Sequence, residues 1–254
     1  MLIALTHAVP PSITHCELTH LGREAIDVAR ATEQHHRYEE ALRELGCTVE
    51  RLPPTPDLPD SVFVEDTAVV LPELAIIARP GAESRRAEVA AVAEALRPYR
   101  TLACIESPGT LDGGDVLCVG SRVYVGESDR TNAEGIRQLG DVVSAFGYVV
   151  QPVTLSGCLH LKTAVTQVAR NTLLLNPDWI DVGVFDGLDR IEVHPAEPFA
   201  ANALRVGAVL LHPAAFPRTR QRLEKRGFAV RTVEADELAK AEAGLTCCSI
   251  LVPV

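Results

Sequence analysis

The sequence has few aromatic residues and no long apolar run. Phenylalanine, tyrosine and tryptophan make up 4% of its 254 residues, although apolar residues reach 47%. Aliphatic side chains must therefore form most of a globular core. No apolar segment approaches the roughly 20 residues of a membrane-spanning helix, and residues 1–15 lack the basic start and apolar stretch of a secretory signal. We expect a cytoplasmic protein with no membrane partner.

Positive charge is also scarce. The chain has 24 lysines and arginines against 34 aspartates and glutamates, which gives a net charge of −10. This balance argues against a nucleic-acid partner, because phosphate backbones are bound by basic faces. An acidic cleft concentrates cations, so the composition is compatible with a small cationic substrate.

The seven cysteines are scattered along the chain, and the sequence contains no Cys-x-x-Cys pair. The ligand spacing of a structural zinc site is therefore missing. An odd number of cysteines without a secretory signal predicts reduced thiols, as in a cytoplasm.

What the sequence does contain is a pattern that restarts about every 45 residues, a period typical of propellers and arrays. The restarts begin near Phe63, Leu111, Leu159, Ala200 and Leu245. Each begins with a short apolar run that carries one or two polar residues, and a second strand and a helix usually follow. A repeat that closes on itself would bring these polar residues to one axis: Glu65, Asp66, Asp112, His160, Asn202 and Cys247.

Hydrophobic periodicity and stop signals predict helices alternating with strand pairs. The predicted helices are Thr32–Leu45, Ser84–Tyr99, Thr131–Phe146 and Pro217–Arg226. The predicted strands are Val62–Leu71, Leu74–Arg79, Asp115–Val119, Arg122–Gly126, Val165–Ala169, Thr172–Asn176, Ala203–Val206, Ala208–Leu211 and Ser249–Val252.

Taken singly, the residues that could take part in catalysis each have a structural explanation as well. Cys247 and Cys248 are either a nucleophile and its neighbour or two inert buried thiols. His160 lies between two leucines and is either a general acid/base or a core histidine. Asp112 precedes two glycines, which permit a tight turn or close approach to a ligand.

Adjacent acids at Glu65 and Asp66 interrupt an apolar run, where they are costly to bury unless paired with a cation. On a strand they would point to opposite faces, so one could hold a ligand while the other braces the scaffold. Solubility at a sheet edge is the alternative explanation. Arg85 and Arg130 lie where a loop leads into a predicted helix. Each either binds a carboxylate with two hydrogen bonds or belongs to a solvated helix face.

Taken together, the motifs resemble the dimethylarginine dimethylaminohydrolase family of guanidino-modifying (pentein) proteins. The matching strings run in the same order along almost the whole chain: PDSVFVED, RPGAESRR, GTLDGGDVL, RTNAEG, LHLKT, AAN and GLTCCSILV. The resemblance implies a five-bladed α/β propeller of ββαβ-type repeats with pseudo-fivefold symmetry. We expect residues 1–254 to form a single domain of this kind.

The resemblance also implies site residues. Cys247 would be the nucleophile, His160 the general acid/base and Asp112 the acid that supports it. Other positions would bind substrate: Asp66 (guanidinium), Asp60 and Glu65 (pocket acids), Arg85 and Arg130 (α-carboxylate) and Leu21 (a lid over the entrance). No metal or organic cofactor is expected, and a homodimer is usual in related proteins.

The implied reaction converts Nω,Nω-dimethyl- or Nω-monomethyl-L-arginine to L-citrulline and a methylamine through a covalent cysteine intermediate. One alternative is another guanidine hydrolase, acting on free arginine, agmatine or a differently substituted arginine. A second is a non-catalytic propeller, such as the ribosome-binding factors that share the fold. The acidic charge and the combination of cysteine, histidine and acids favour an enzyme.

Overall fold

The computed structural model describes residues Met1 to Val254 and contains fifteen strands. The strands are β1 (Leu2–His7), β2 (Cys47–Leu52), β3 (Ala68–Val70), β4 (Leu74–Ile77), β5 (Thr101–Cys104), β6 (Val116–Val119), β7 (Arg122–Glu127), β8 (Val149–Thr154), β9 (Val165–Ala169), β10 (Thr172–Leu175), β11 (Asp189–Glu192), β12 (Leu204–Val206), β13 (Val209–Pro213), β14 (Ala229–Val233) and β15 (Ile250–Pro253). The helices are α1 (Val28–Glu44), α2 (Val89–Leu96), α3 (Ala133–Ser144), α4 (Leu161–Ala164), α5 (Pro217–Lys225) and α6 (Asp236–Ala239). None of these helices is long and apolar enough to cross a membrane.

The strands form five separate three-stranded sheets, which we call blades 1 to 5. Their strand orders are β15-β1-β2, β3-β4-β5, β6-β7-β8, β9-β10-β11 and β12-β13-β14. In every blade the middle strand pairs antiparallel on one side and parallel on the other. A helix returns the chain to the parallel strand, except in blade 4, where a 3₁₀ turn over Val182–Phe185 does so. The predicted five-bladed α/β propeller is confirmed.

Blade 1 joins the two ends of the fold. β1 pairs antiparallel with β15, from Leu2 opposite Pro253 to Leu5 opposite Ile250. The Met1 amine also donates to the carbonyl of Val254 at 2.8 Å. The first and last strands therefore close the ring.

The predicted helices are confirmed, with different bounds. Asp27 caps α1 by accepting from the Arg30 amide, so this helix begins four residues before the predicted Thr32. The predicted Ser84–Tyr99 helix divides into a 3₁₀ helix over Glu83–Glu88 and a shorter α2. Gly46 follows α1 with a φ of +90°, which ends the helix at little steric cost.

The predicted strand Val62–Leu71 is wrong in its first half. Val64–Thr67 forms a 3₁₀ helix, and only Ala68–Val70 is extended. Comparable short turns lead into three other first strands: Gly113–Asp115, α4 and Thr246–Cys248. Glu65 and Asp66 are both buried on such a turn, so they do not divide between two faces of a strand.

The core consists of five aliphatic clusters within and between the blades. The largest surrounds α1 with 18 buried residues, including Tyr38 and Leu42, and reaches the turn that carries Cys248. The other four contain 9 to 12 buried residues each. Apolar packing thus fixes the short turns that meet at the centre.

Candidate active site

The turns from several blades meet at a small cavity with an empty volume of about 310 Å³. Cys247, His160 and Asp66 line it, and they come from blades 1, 4 and 2. Asp60, Arg85 and Arg130 complete most of its charged wall. The repeat therefore brings acids, a base and a thiol to one place, as the sequence pattern predicts.

The His160 ring lies between two carboxylates. Its Nε2 is 3.1 Å from Asp112 Oδ2, and its Nδ1 is 3.7 Å from Asp66 Oδ1. Burial alone would lower the pKa of this ring, but Asp66, Asp115 and Asp112 raise it to about 9. His160 is therefore an imidazolium near neutral pH and can donate a proton into the cavity.

Asp112 is held so that one oxygen faces the histidine. It is fully buried, its backbone N–H donates to Thr131 Oγ1 at 3.0 Å, and its Oδ1 accepts from the Gly81 amide at 3.0 Å. The remaining oxygen, Oδ2, is the one in contact with His160 Nε2. This arrangement orients the imidazole and stabilises its charged form.

Asp66 stays ionised inside the protein. Burial would raise the pKa of this carboxyl, but His160, Arg85 and the Gly114 amide hold it below its usual value. Arg85 Nη1 donates to its Oδ2 at 2.6 Å, and the Gly114 amide donates to its Oδ1 at 3.0 Å. A fixed anion therefore faces the cavity, where a substrate cation can pair with it.

The two glycines after Asp112 are needed for close packing within the site. A Cβ at position 114 would lie 2.6 Å from Asp66 Oδ1 and 2.7 Å from His160 Nδ1. A Cβ at position 113 would lie 2.0 Å from the Glu65 carbonyl oxygen. The backbone thus approaches the side chains of the site closely, which is one of the uses that the sequence allows for these glycines.

Cys247 sits on the 3₁₀ turn Thr246–Cys248, and its sulfur accepts from the Gly244 amide at 3.4 Å. Burial raises the pKa of this thiol well above its usual value, and the charges of Glu65 and Asp66 raise it further. The thiolate therefore needs a positive partner before it can form. Cys248 points instead into the apolar cluster around α1, with its sulfur 3.8 Å from the Gly244 carbonyl.

Sequence reasoning missed Asp115. Its Oδ1 accepts from the Leu161 amide at 2.9 Å and its Oδ2 from Ser128 Oγ at 2.6 Å. Burial raises its pKa to about 6, although the nearby His160 opposes this shift. In the sequence it is the second aspartate of LDGGD. Taken by itself, this residue is predicted to begin the strand Asp115–Val119.

A loop from Glu17 to Leu21 lies against the cavity and is held by carboxylates. The Glu242 side chain accepts from the amides of Thr19 and His20, at 3.1 Å and 2.6 Å, and also from the amide of Leu21. Glu242 lines the cavity and is the one non-glycine residue with a positive φ, at +59°. Its carboxylate thus fixes three consecutive amides of the loop.

Comparison with known proteins identifies this arrangement. A family model described as N,N dimethylarginine dimethylhydrolase, eukaryotic, matches residues 19–183. The N(G),N(G)-dimethylarginine dimethylaminohydrolase of Pseudomonas aeruginosa is 38% identical over 91% of this chain and 91% of that protein. The protein of the same name from Streptomyces coelicolor is 40% identical over 97% of this chain and 95% of its own. The chain belongs to the dimethylarginine dimethylaminohydrolase family.

Solved structures agree with this family. A cysteine-to-serine mutant of the Pseudomonas aeruginosa dimethylarginine dimethylaminohydrolase, complexed with citrulline, has a TM-score of 0.91 and 36% identity, covering 98% of each chain. An adduct of a dimethylarginine dimethylaminohydrolase mutant with S-methyl-L-thiocitrulline has a TM-score of 0.93 and 36% identity, covering 99% of this chain and 100% of that one. The N-terminal domain of a cyanobacterial arginine dihydrolase, at 19% identity and a TM-score of 0.85, shares the fold.

Some of the residues that the family resemblance assigns to substrate binding line this cavity, and others do not. Asp60 and Arg130 line the cavity: Asp60 accepts from the Glu17 amide at 3.2 Å, and Arg130 Nη2 donates to Thr19 Oγ1 at 3.1 Å. Arg85 also lines it, but its guanidinium is already bound to Asp66 at 2.6 Å and to Glu88 at 2.9 Å. These ion pairs hold the Arg85 guanidinium at the cavity wall, and its assignment to the substrate carboxylate stays a prediction.

Two predicted contacts lie elsewhere. Glu65 is not among the residues of this cavity, because Lys162 and Thr246 bind its two oxygens on the other side of the turn. Leu21 is 37% exposed and lines a neighbouring cavity with an empty volume of about 1050 Å³. The two cavities share Leu159, Glu242 and Ala243, so Leu21 lies on the wall of an adjoining cavity, and its role at the entrance stays a prediction.

Three donors in this family site could in principle hold a metal ion. The ligand atoms of Asp66, Asp112 and His160 lie within 4.8 Å of one another. A metal would have to displace the proton of His160, which the surrounding carboxylates favour. The Arg85 guanidinium also already binds the Asp66 carboxylate. The donor set suits proton transfer better than metal binding.

Proposed function

We propose that this chain hydrolyses Nω-methylated arginine, a small cationic amino acid, to citrulline and a methylamine. The observation that carries the proposal is a protonated histidine, His160, held between Asp112 and Asp66 in the cavity that contains Cys247. The names of the relatives and the citrulline complex of one of them support the choice of substrate and product. The chain would thus be a hydrolase of C–N bonds in linear amidines.

The first half of the reaction forms a covalent intermediate. Asp66 pairs with the substrate guanidinium and holds its central carbon near the Cys247 sulfur. The positive charge of the guanidinium offsets Glu65 and Asp66, so the thiol releases its proton to solvent when substrate is bound. The thiolate attacks the guanidinium carbon, and His160 gives its proton to the departing methylamine. An S-alkylthiouronium intermediate remains.

The second half returns the enzyme to its starting state. Neutral His160 takes a proton from water, and the hydroxide adds to the thiouronium carbon. The C–S bond breaks as the added hydroxyl gives up its proton to form the citrulline carbonyl, and the departing Cys247 thiolate takes that proton, so the thiol of the free enzyme is restored. Asp112 keeps the imidazole oriented in both halves and stabilises its charged form.

We further assign Asp60 and Arg130 to the amino-acid end of the substrate. Asp60 would attract the α-ammonium, and Arg130, which donates to the exposed Thr19, could turn to the α-carboxylate. Residues 1–254 would act as one domain without a metal or organic cofactor. We place the protein in the cytoplasm because all seven cysteines are free, and we expect a homodimer.

A matched pair of cysteine variants tests the nucleophile. Cys247→Ser should reduce citrulline formation from dimethylarginine by at least about 10⁴-fold, because a hydroxyl is a much weaker nucleophile. Cys248→Ser should stay within a few-fold of wild type, because that sulfur lies in the apolar cluster. Substantial turnover by Cys247→Ser, or an inactive but folded Cys248→Ser, would contradict the proposal.

Measuring citrulline formation from dimethylarginine, monomethylarginine and arginine side by side tests the substrate class. A site that hydrogen-bonds the substituted nitrogen would reject the methylated forms strongly. We expect turnover to be fastest with a methylated arginine. A preference for arginine would make this chain a guanidine hydrolase of another specificity.

A further inference from the structure

Four polar side chains, three of them buried and the Lys162 side chain 16% exposed, form a closed ring of hydrogen bonds on the far side of the turns that carry the site. Lys162 Nζ donates to Glu65 Oε1 at 2.6 Å, and Thr246 Oγ1 donates to Glu65 Oε2 at 2.6 Å. The Thr246 amide donates to Asn202 Oδ1 at 3.0 Å. Asn202 Nδ2 donates to Thr246 Oγ1 at 3.0 Å and to the Lys162 carbonyl at 3.1 Å. We call Glu65, Lys162, Asn202 and Thr246 the polar frame.

Three of the four frame residues lie next to, or two residues from, a residue of the proposed mechanism. Glu65 precedes Asp66, Thr246 precedes Cys247, and Lys162 is two residues after His160. These residues come from blades 2, 1 and 4, and Asn202 adds blade 5. Apolar packing between blades is non-directional, whereas this ring joins four short turns to one another by directed bonds.

Gly244 connects the frame to the thiol. A Cβ at this position would lie 2.2 Å from Asn202 Cγ, so Asn202 packs directly against the glycine backbone. The Gly244 amide in turn donates to Cys247 Sγ at 3.4 Å. A shift of Asn202 would therefore reach the sulfur through a single residue.

Stability alone does not explain such a frame. A buried ion pair such as Glu65–Lys162 can often be replaced by apolar residues without loss of stability, because desolvation offsets the attraction. Elsewhere in the chain, Thr6 donates to buried Glu39 at 2.7 Å, and Glu39 also pairs with Arg51. That motif has the same chemistry, but none of its residues is next to a cavity residue in sequence, which makes it a matched control.

We propose that the polar frame positions Cys247 relative to His160 and Asp66, and that it keeps the Glu65 charge at a fixed place near the sulfur. None of these four side chains lines the cavity, so they are positioning residues. The proposal rests on the function proposed above. It predicts a loss of turnover without a matching loss of substrate binding.

The first test compares Thr246→Val, Thr246→Ser and Thr6→Val. Thr246→Val removes the hydroxyl from a side chain of similar shape, and kcat should fall about 10- to 100-fold with KM within about 3-fold. Thr246→Ser keeps the hydroxyl and should restore kcat to within a few-fold of wild type. Thr6→Val should lower the melting temperature but leave kcat unchanged. Equal kcat for Thr246→Val and Thr6→Val would overturn the proposal.

The second test does not require any substrate. Alkylation of Cys247 by iodoacetamide is followed against pH by mass spectrometry of the Cys247 peptide. Glu65→Gln removes a negative charge that raises the pKa of this thiol, so alkylation at pH 7.5 should become about 3- to 10-fold faster. Glu39→Gln is the control and should leave the rate unchanged. An unchanged or slower rate in Glu65→Gln would contradict the proposal.

The two tests separate the frame from the proposed reaction. If the wild-type chain does not convert methylarginine but Glu65→Gln still accelerates alkylation, the substrate assignment fails and the electrostatic part of the frame stands. If the wild type is active and Thr246→Val keeps full kcat, the reaction stands and the frame fails.

Discussion

His160 holds its proton at a pH at which an ordinary histidine has lost it. Three carboxylates surround the ring, and together they outweigh the burial that would otherwise keep it neutral. An ordinary histidine releases its proton near pH 6.5. The site therefore stores the proton that the departing amine needs, across the physiological range of pH.

This stored proton links stability to pH. Because the pKa of His160 is about 9 in the fold and about 6.5 when unfolded, its contribution is fully present below pH 6.5. It disappears as the pH rises through about 9. Urea unfolding at pH 6 and pH 9.5 should show a loss in wild type that is about 2–3 kcal/mol larger than in His160→Gln.

A histidine-ring NMR titration provides the direct check, with a midpoint expected near 9 for His160. A midpoint near 6.5, together with the same pH dependence of unfolding in both proteins, would show that the carboxylates do not hold this proton.

At the residue level, the sequence indicates the reactive types but not their pairing. A lone histidine between leucines and a cysteine before an apolar strand each have an ordinary structural explanation. The family motifs single out Cys247, His160, Asp112 and Asp66. Only the fold places Glu65 behind the cavity and Arg85 against Asp66 and Glu88, because those contacts join turns far apart in sequence.

Among the elements, the loop Glu17–Leu21 depends on one side chain. Glu242 adopts a left-handed backbone conformation, which costs a non-glycine residue about 1–2 kcal/mol. Its carboxylate accepts three consecutive amides of the loop in return. The loop has no helix or strand of its own between Cys16 and Asp27.

Glu242→Ala should free this loop. Hydrogen exchange at the amides of Thr19, His20 and Leu21 should accelerate by at least about 10-fold, because each amide loses its acceptor. The amide of Ala31 in α1, which donates to the Asp27 carbonyl, should keep its protection. Unchanged exchange in the loop would mean that other contacts hold it.

Some of the strands are predicted from the sequence and others are not. Sequence analysis misses β1. It also misses the third strand of each blade: β2, β5, β8, β11 and β14. These strands are mostly exposed or half-buried, as in β5 and β8, so they lack the apolar runs that mark the inner strands. The 3₁₀ turn at Val64–Thr67 is missed for the opposite reason, because it is buried and flanked by the apolar residues Phe63 and Ala68.

For the molecule as a whole, closure of the ring makes the blades interdependent. The single tryptophan, Trp179, lies in blade 4 against Phe199, with ring centroids 4.9 Å apart. Urea unfolding followed by tryptophan fluorescence should therefore coincide with unfolding followed by far-ultraviolet circular dichroism. Separate midpoints would contradict the expectation that residues 1–254 form a single domain.

The pairing of β1 with β15 also has a consequence for protein synthesis. Every other residue of the cavity leaves the ribosome before Cys247, and β15, which must dock against the first strand made, comes after it. A growing chain can thus assemble its acids and its histidine while the sulfur is still outside the centre. The nascent protein would complete its site only when β15 pairs with β1.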